Sequence, residues 1–208
     1  VVGYRVAPEF QHVADEQLAQ CAQSGEWAAF DELVHRFEAR IYRFVWNCCG
    51  HEADARELTQ ETFVTAYLNL KRFDVSLSFA AWLFTIARRK CIDRSRRARP
   101  VFADEFPELP DANDPSTLLA RREAAEDIWR IARRELSETA FQSLWLRYAE
   151  DLSVAETARV LRRTQPHVKV ILFRARGALA RALEHEQPFG LERTGVLATA
   201  QPTPNRTV

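Results

Sequence analysis

Two clusters of cationic side chains are the part of this sequence best suited to chemistry. Arg88, Arg89, Lys90, Arg94, Arg96, Arg97 and Arg99 crowd the stretch from 88 to 99, and a second basic run extends from Arg159 to Arg181. Between them Asp104, Glu105, Glu108, Asp111 and Asp114 stand with no base among them. The formal net charge of +0 averages over these blocks. Bulk charge therefore points to neither nucleic acid nor membrane, while its distribution leaves two surfaces able to bind anions. The negative pole at a helix C-terminus would settle some of the first cluster. It does not settle all of it, because so many neighbouring cations repel one another without an anionic partner.

Other chemistry is poorly served. Cys21, Cys48, Cys49 and Cys91 lack zinc-ligand spacing and sit in apolar helical patterns, which predicts reduced, core or half-buried thiols. His51 near Cys48 lacks two further ligands for a metal. There is no phosphate-binding glycine loop, nucleophile elbow or paired His-Glu metal motif, so neither an enzyme nor a cofactor is expected. With 47% hydrophobic and 28% charged residues, the chain has the makeup of a folded protein. No run reaches the roughly 18 apolar residues of a membrane span and no signal peptide opens the sequence, which predicts the cytoplasm.

The elements that would carry the basic clusters are helices. Phe30, Leu33, Val34, Phe37, Ile41, Phe44, Val45 and Cys48 recur at spacings of three and four, one apolar stripe that Gly50 would end. A second helix runs from about Glu52 to Leu70, burying Leu58, Thr62, Phe63, Ala66 and Leu70. Lys71 to Ser78 reads as a loop ending in a capping serine. A third helix turns Phe79, Leu83, Ile86 and Ala87 inward and becomes basic at its end. From Pro100 to Ser116 the periodicity stops, which predicts an extended linker. Helix resumes near Thr117 and runs towards Arg134, and residues 186–208 read as a disordered tail. The expected fold is all-α: a helical domain at 15–99, a flexible acidic linker at 100–116, a second helical domain at 117–185, then the tail.

The second domain ends in a helix-turn-helix. Ser153-Val-Ala-Glu156 forms a capping box for a helix burying Ala155, Ala158 and Leu161. Arg162 and Arg163 make a short turn, Thr164 caps the next helix, and Pro166 is tolerable in its first turn. Val168, Leu172, Ala175 and Leu179 form that helix's buried stripe. The opposite face presents Gln165, His167, Val170, Ile171 and Arg174, flanked by Lys169 and Arg176. Such a helix can enter a major groove while basic residues contact phosphates. A plain helical hairpin would use the same core stripe.

Both domains resemble bacterial sigma factors of the extracytoplasmic-function group, subunits that direct RNA polymerase to promoters. In the first, Asp54-Ala-Arg-Glu-Leu-Thr-Gln-Glu-Thr-Phe63, Phe79-Ala-Ala-Trp-Leu-Phe-Thr-Ile-Ala-Arg-Arg89 and Ile92-Asp-Arg-Ser-Arg-Arg97 look like the family's region two. In the second, Leu136-Ser-Glu to Leu144-Trp-Leu-Arg147, Asp151-Leu-Ser-Val-Ala-Glu-Thr-Ala158 and Val168-Lys169 to Arg174-Ala-Arg176 look like region four. The resemblance runs from Glu26 to Leu183.

It implies three surfaces. Asp54, Glu57, Gln60 and Glu61 would dock on the clamp coiled coil of the largest subunit of core RNA polymerase, their acidic character favouring a basic partner. Arg72, Phe73, Trp82, Arg88, Arg89, Lys90, Arg94, Arg96 and Arg97 would bind the minus-ten promoter element as it opens. Capturing an unstacked base needs a pocket, and holding single strand needs cations with aromatic platforms; Phe79 is expected in the core and Trp82 at the stripe's edge. Arg163, Gln165, His167, Lys169, Val170, Ile171, Arg174 and Arg176 would read the minus-thirty-five element as duplex. An anti-sigma factor is a further partner that the resemblance allows.

The sequence departs from the family's pattern at several of these positions. Arg89 stands where asparagine is usual, Arg162 where glycine is usual, His167 in place of a threonine and Ile171 near a common arginine. The turn must then form without glycine's left-handed freedom, and Val170 and Ile171 make the groove face apolar, suited to thymine methyls or to a protein. The competing reading is a conventional helix-turn-helix regulator that dimerises on operators without polymerase.

Overall fold

A computed structural model describes residues 10, 12–96 and 127–186. Arg97, Arg99, the acidic linker and the tail beyond Glu186 lie outside the described residues. Those described are helical, with no strand among them.

The long stripe forms α2 (Trp27–Cys49), with Leu33, Phe37, Ile41, Phe44 and Val45 fully buried. Gly50 ends it at φ 69°, its N–H donating to the Trp46 carbonyl at 2.8 Å; this left-handed turn is where glycine's freedom is used. α3 (Glu52–Asn69) starts with Glu52 and Asp54 at its positive pole. A single tighter turn over Leu70–Arg72 leads into the loop before α4 (Phe79–Ser95). Ser78 caps α4 as expected, accepting from the Ala81 N–H at 3.2 Å.

One helix was not read from the sequence: α1 (Asp15–Gln23). Its glutamines and acids hide its role, which is to position α4. Glu16 accepts from the Phe79 N–H at 3.0 Å. Gln23 donates to the carbonyls of Leu70 and Phe73 at 2.8 and 2.7 Å. Arg36 ties the segment down through Asp15, Glu32 and the carbonyls of Phe10 and Val13.

In the second half, α5 is described over 127–135, and α6 (Glu138–Leu144) continues as a wider turn over Trp145–Ala149. Trp129, Phe141 and Trp145 pack with ring centroids 4.8–6.0 Å apart. α7 (Val154–Leu161) carries the complete capping box between Ser153 and Glu156. It buries Thr157, Ala158, Val160 and Leu161, whereas Ala155 is exposed; the cap fixes the helix so that residue 155 points outward. α8 (Gln165–Glu186) buries Val168, Leu172 and Ala175, with Leu179 half-buried.

The two halves do not stand apart. α4 packs on α7, and the buried apolar residues of both halves form one continuous core. Arg40 of α2 meets Glu150 at 2.8 Å, and only 2% of the Glu150 side chain is exposed. Its other oxygen accepts from Trp145 Nε1 at 3.0 Å.

Candidate nucleic-acid interface

The helix and loop expected at the minus-ten element enclose a cavity of about 430 Å³ between α3 and α4. Arg72, Trp82, Arg89 and Lys90 line it, four of the residues singled out from the sequence. Thr65, Asn69, Ile86 and Asp93 complete the wall. These four were missed, although Thr65 and Asn69 lie one helical turn apart above the loop, a spacing that marks a shared face. Asn69 donates its side-chain N–H to the Thr65 carbonyl at 2.8 Å. Trp82 is half-buried, its ring tilted against those of Phe73 and Phe79 with centroids at 4.9 and 5.6 Å.

Phe73 needs correction as an aromatic platform. It is 5% exposed, closed in by Phe79 and Trp82, so it backs Trp82 and has no open face for a base. Phe79 is in the core as expected. Arg72 and Arg89 are exposed, Arg89 with its Nε 3.9 Å from Asp93. Arg88 is half-buried and points the other way: its Nε donates to Gln142 Oε1 on α6 at 2.9 Å. Burial pulls its guanidinium below the ordinary value, and the nearby charges of Arg163 and Arg162 add to that effect. Arg96 is exposed at the end of α4.

The acidic face of α3 is already paired within the molecule. Arg94 contacts Asp54 and Glu57 at 2.6 Å each, and Lys90 contacts Glu61 at 2.9 Å; Gln60 is exposed. These acids therefore already have internal basic partners, which spacing alone does not show. α4 supplies the first cations to α3, and Arg94 and Lys90 belong as much to the acidic face as to the cavity. All these partners are partly exposed, so a competing cation can exchange into the pairs at small cost.

α8 holds its outer face open. Gln165, His167, Lys169, Val170, Arg174 and Arg176 are exposed and Ile171 is half-buried. Thr164 accepts from the His167 N–H at 3.4 Å, and Arg176 donates to the Tyr148 hydroxyl at 3.2 Å. Arg163 is exposed in the turn. Phe173, 72% exposed on the same helix, was not singled out from the sequence. The turn forms without glycine, as expected. Arg162 adopts φ 52°, ψ 50°, so the left-handed residue is present, made by an arginine where glycine would cost less.

No helix among the described residues is long and apolar enough to cross a membrane. The cysteines are free thiols, Cys91 buried and the others partly so.

The match to known proteins follows the same two halves. The Sigma-70 region 2 model matches residues 33–101 and the Sigma-70, region 4 model residues 132–179. The chain is 34% identical over 174 residues to the ECF RNA polymerase sigma factor BldN of Streptomyces coelicolor, covering 80% of this chain and 65% of that relative. The chain thus spans just under two thirds of BldN. It is 30% identical over 182 residues to the RNA polymerase sigma-H factor of Pseudomonas aeruginosa, covering 82% and 94%. Among solved structures, CnrH in complex with the cytosolic domain of CnrY aligns at a TM-score of 0.62 and 27% identity, covering 83% of this chain and 99% of CnrH.

The chain belongs to the sigma-70-like RNA polymerase sigma factors of the extracytoplasmic-function group. A conventional regulator is disfavoured, since it would account for a helix-turn-helix but not for the region 2 half.

Proposed function

We propose that this sigma factor binds core RNA polymerase with the acidic face of α3, opens the minus-ten element at the cavity between α3 and α4, and reads the minus-thirty-five element with α8. Asp54, Glu57, Gln60 and Glu61 meet the clamp coiled coil, whose basic groups exchange with Arg94 and Lys90. An unstacked base enters the cavity against Trp82, while Arg72 and Arg89 hold its phosphates. Stacking on an aromatic offers about 1–3 kcal/mol per base, against a few kcal/mol to unstack one. Arg96 extends the cationic track. Lys169, Arg174, Arg176 and Arg163 set α8 on the duplex, with Gln165, His167, Val170 and Ile171 towards the bases.

The observation that carries this reading is the cavity itself, which gathers an aromatic and three cations beside the acidic helix. The chain performs no reaction of its own in this account, and its place of action is the cytoplasm, with polymerase and promoter DNA. An anti-sigma factor is a further partner, by analogy with CnrH held in complex with the CnrY cytosolic domain. The test is to mix the protein with sigma-free core polymerase. Co-elution and transcription from defined start sites are expected; a protein that binds duplex DNA but never co-elutes with core would establish the regulator instead.

A further inference from the structure

We propose that the cleft where α4 meets the turn between α7 and α8 is a binding site for a small polyphosphate, a di- or triphosphate group held by guanidiniums from both halves of the molecule. The cleft has a volume of about 390 Å³, and Arg88, Arg89 and Arg96 of α4 line it together with Arg162 of the turn. One carboxylate, Asp93, faces these four cations, and it lies 3.9 Å from Arg89. Among the described residues Arg96 and Arg162 have no ion pair, and Arg88 gives only its Nε to Gln142. Its terminal nitrogens remain for a ligand.

Four guanidiniums around one small space repel each other, weakly where Arg89, Arg96 and Arg162 are exposed and more at half-buried Arg88, and an anion between them relieves that repulsion. Arg88 is half-buried here; burial holds its guanidinium below the ordinary value, Glu138 opposes that, and Arg163 and Arg162 add to it. Arg162 is also held left-handed at φ 52°, a backbone that a glycine would adopt freely. The forked donors of arginine suit phosphate oxygens bidentately, and several forks suit several phosphates. The size of the space selects among phosphates. It holds roughly a dozen waters at about 30 Å³ each, room for a di- or triphosphate but none for a duplex. Because α4 and the turn both contribute, the bound anion fastens the two halves together. The cleft shares Arg89 and Arg96 with the proposed promoter contacts, so a polyphosphate and nucleic-acid backbone would compete for them.

Calorimetry on the full chain at low salt, with inorganic triphosphate and with guanosine triphosphate as probes, tests the site. One equivalent should bind and raise the unfolding temperature, since a ligand of the folded state stabilises it by mass action. Tighter binding of guanosine triphosphate would assign the group to a nucleotide, and equal binding to the phosphates alone. Arg162→Gly keeps the left-handed turn and removes one cation, so it should weaken binding about tenfold through loss of charge-assisted contacts. Arg96→Gln should act likewise, and Lys71→Gln, remote from the cleft, should change nothing. No saturable binding, or equal binding by Arg162→Gly, overturns the proposal. So does an oligothymidylate that outcompetes triphosphate and weakens in the same variants, because the cleft would then hold nucleic-acid backbone.

Discussion

Arg88 of α4 donates its Nε–H to Gln142 of α6 at 2.9 Å, across 54 residues of sequence. Gln142 in turn donates to Glu138 at 2.9 Å and to the Cys48 sulfur at 3.4 Å. One buried amide therefore joins a basic side chain of α4 to the half of the molecule that carries α7 and α8. Together with Arg40–Glu150, it closes the two halves on each other.

Gln142→Ala should loosen that closure. A hydrogen bond to a charged group contributes about 1.5–3 kcal/mol, enough to shift an open–closed balance by about tenfold or more. Small-angle scattering should show a larger radius of gyration, and single-stranded DNA should bind several-fold more tightly as Arg88 is freed. Unchanged values of both would show that this contact does not govern closure.

The acidic face of α3 can be separated from its internal partners by a charge swap. Glu61→Lys places a cation beside Lys90, and the loss should stay below about 1 kcal/mol because the pair is partly exposed. Adding Lys90→Glu restores the pair and the unfolding temperature. Core polymerase association should nevertheless remain weak in the double variant if Glu61 faces the clamp. Recovery of association along with stability would make the acids purely structural.

Much of the fold was legible because it rests on local rules. The α2 stripe, Gly50, Ser78 and the Ser153–Glu156 box each act within a few residues, and each appears where periodicity and capping place it. What escaped depends on distant partners. α1 has no marked stripe, and its function lies in Glu16 and Gln23 reaching α4 and the loop before it. Phe73 looks the same in sequence whether it offers a face or backs Trp82; only the packing decides. The pairing of Arg94 with Asp54 and Glu57 joins two sets that spacing alone kept apart. The polar contacts between the halves run through Gln142 and Glu150, buried polar residues that no hydrophobic pattern reveals.

Arg162→Gly should stabilise the protein. A left-handed L-residue costs about 1–2 kcal/mol, part of which glycine returns through its freer unfolded chain. A net gain of up to about 1 kcal/mol, or roughly 2–4 °C for a chain of this size, is expected in thermal unfolding. A lower unfolding temperature would mean that the Arg162 side chain holds the turn.

Glu150 sets a pH dependence. Burial pushes its carboxyl above the ordinary 4.5, and Arg40 and Trp145 offset only part of that. The folded state therefore keeps a proton that the unfolded chain has lost. The stability from this group is fully present below the unfolded pKa and is lost as pH rises through the folded one. Glu150→Gln cannot ionise, so its unfolding temperature should vary less with pH from about 4.5 upward. Equal slopes for parent and variant would remove Glu150 as the source.

Transcription by reconstituted polymerase shows whether the cavity between α3 and α4 opens promoter DNA. Arg72→Gln with Arg89→Gln removes two exposed cations of the cavity and spares the core, Gln142 and the acid pairs of α3. Core association should stay near that of the parent, and transcription from a duplex promoter should fall about tenfold or more with the lost phosphate contacts. A template already melted at the minus-ten element should restore much of the activity, because the cost of unstacking is removed. Parental activity of the double variant on duplex, or an equal deficit on the melted template, would contradict the account.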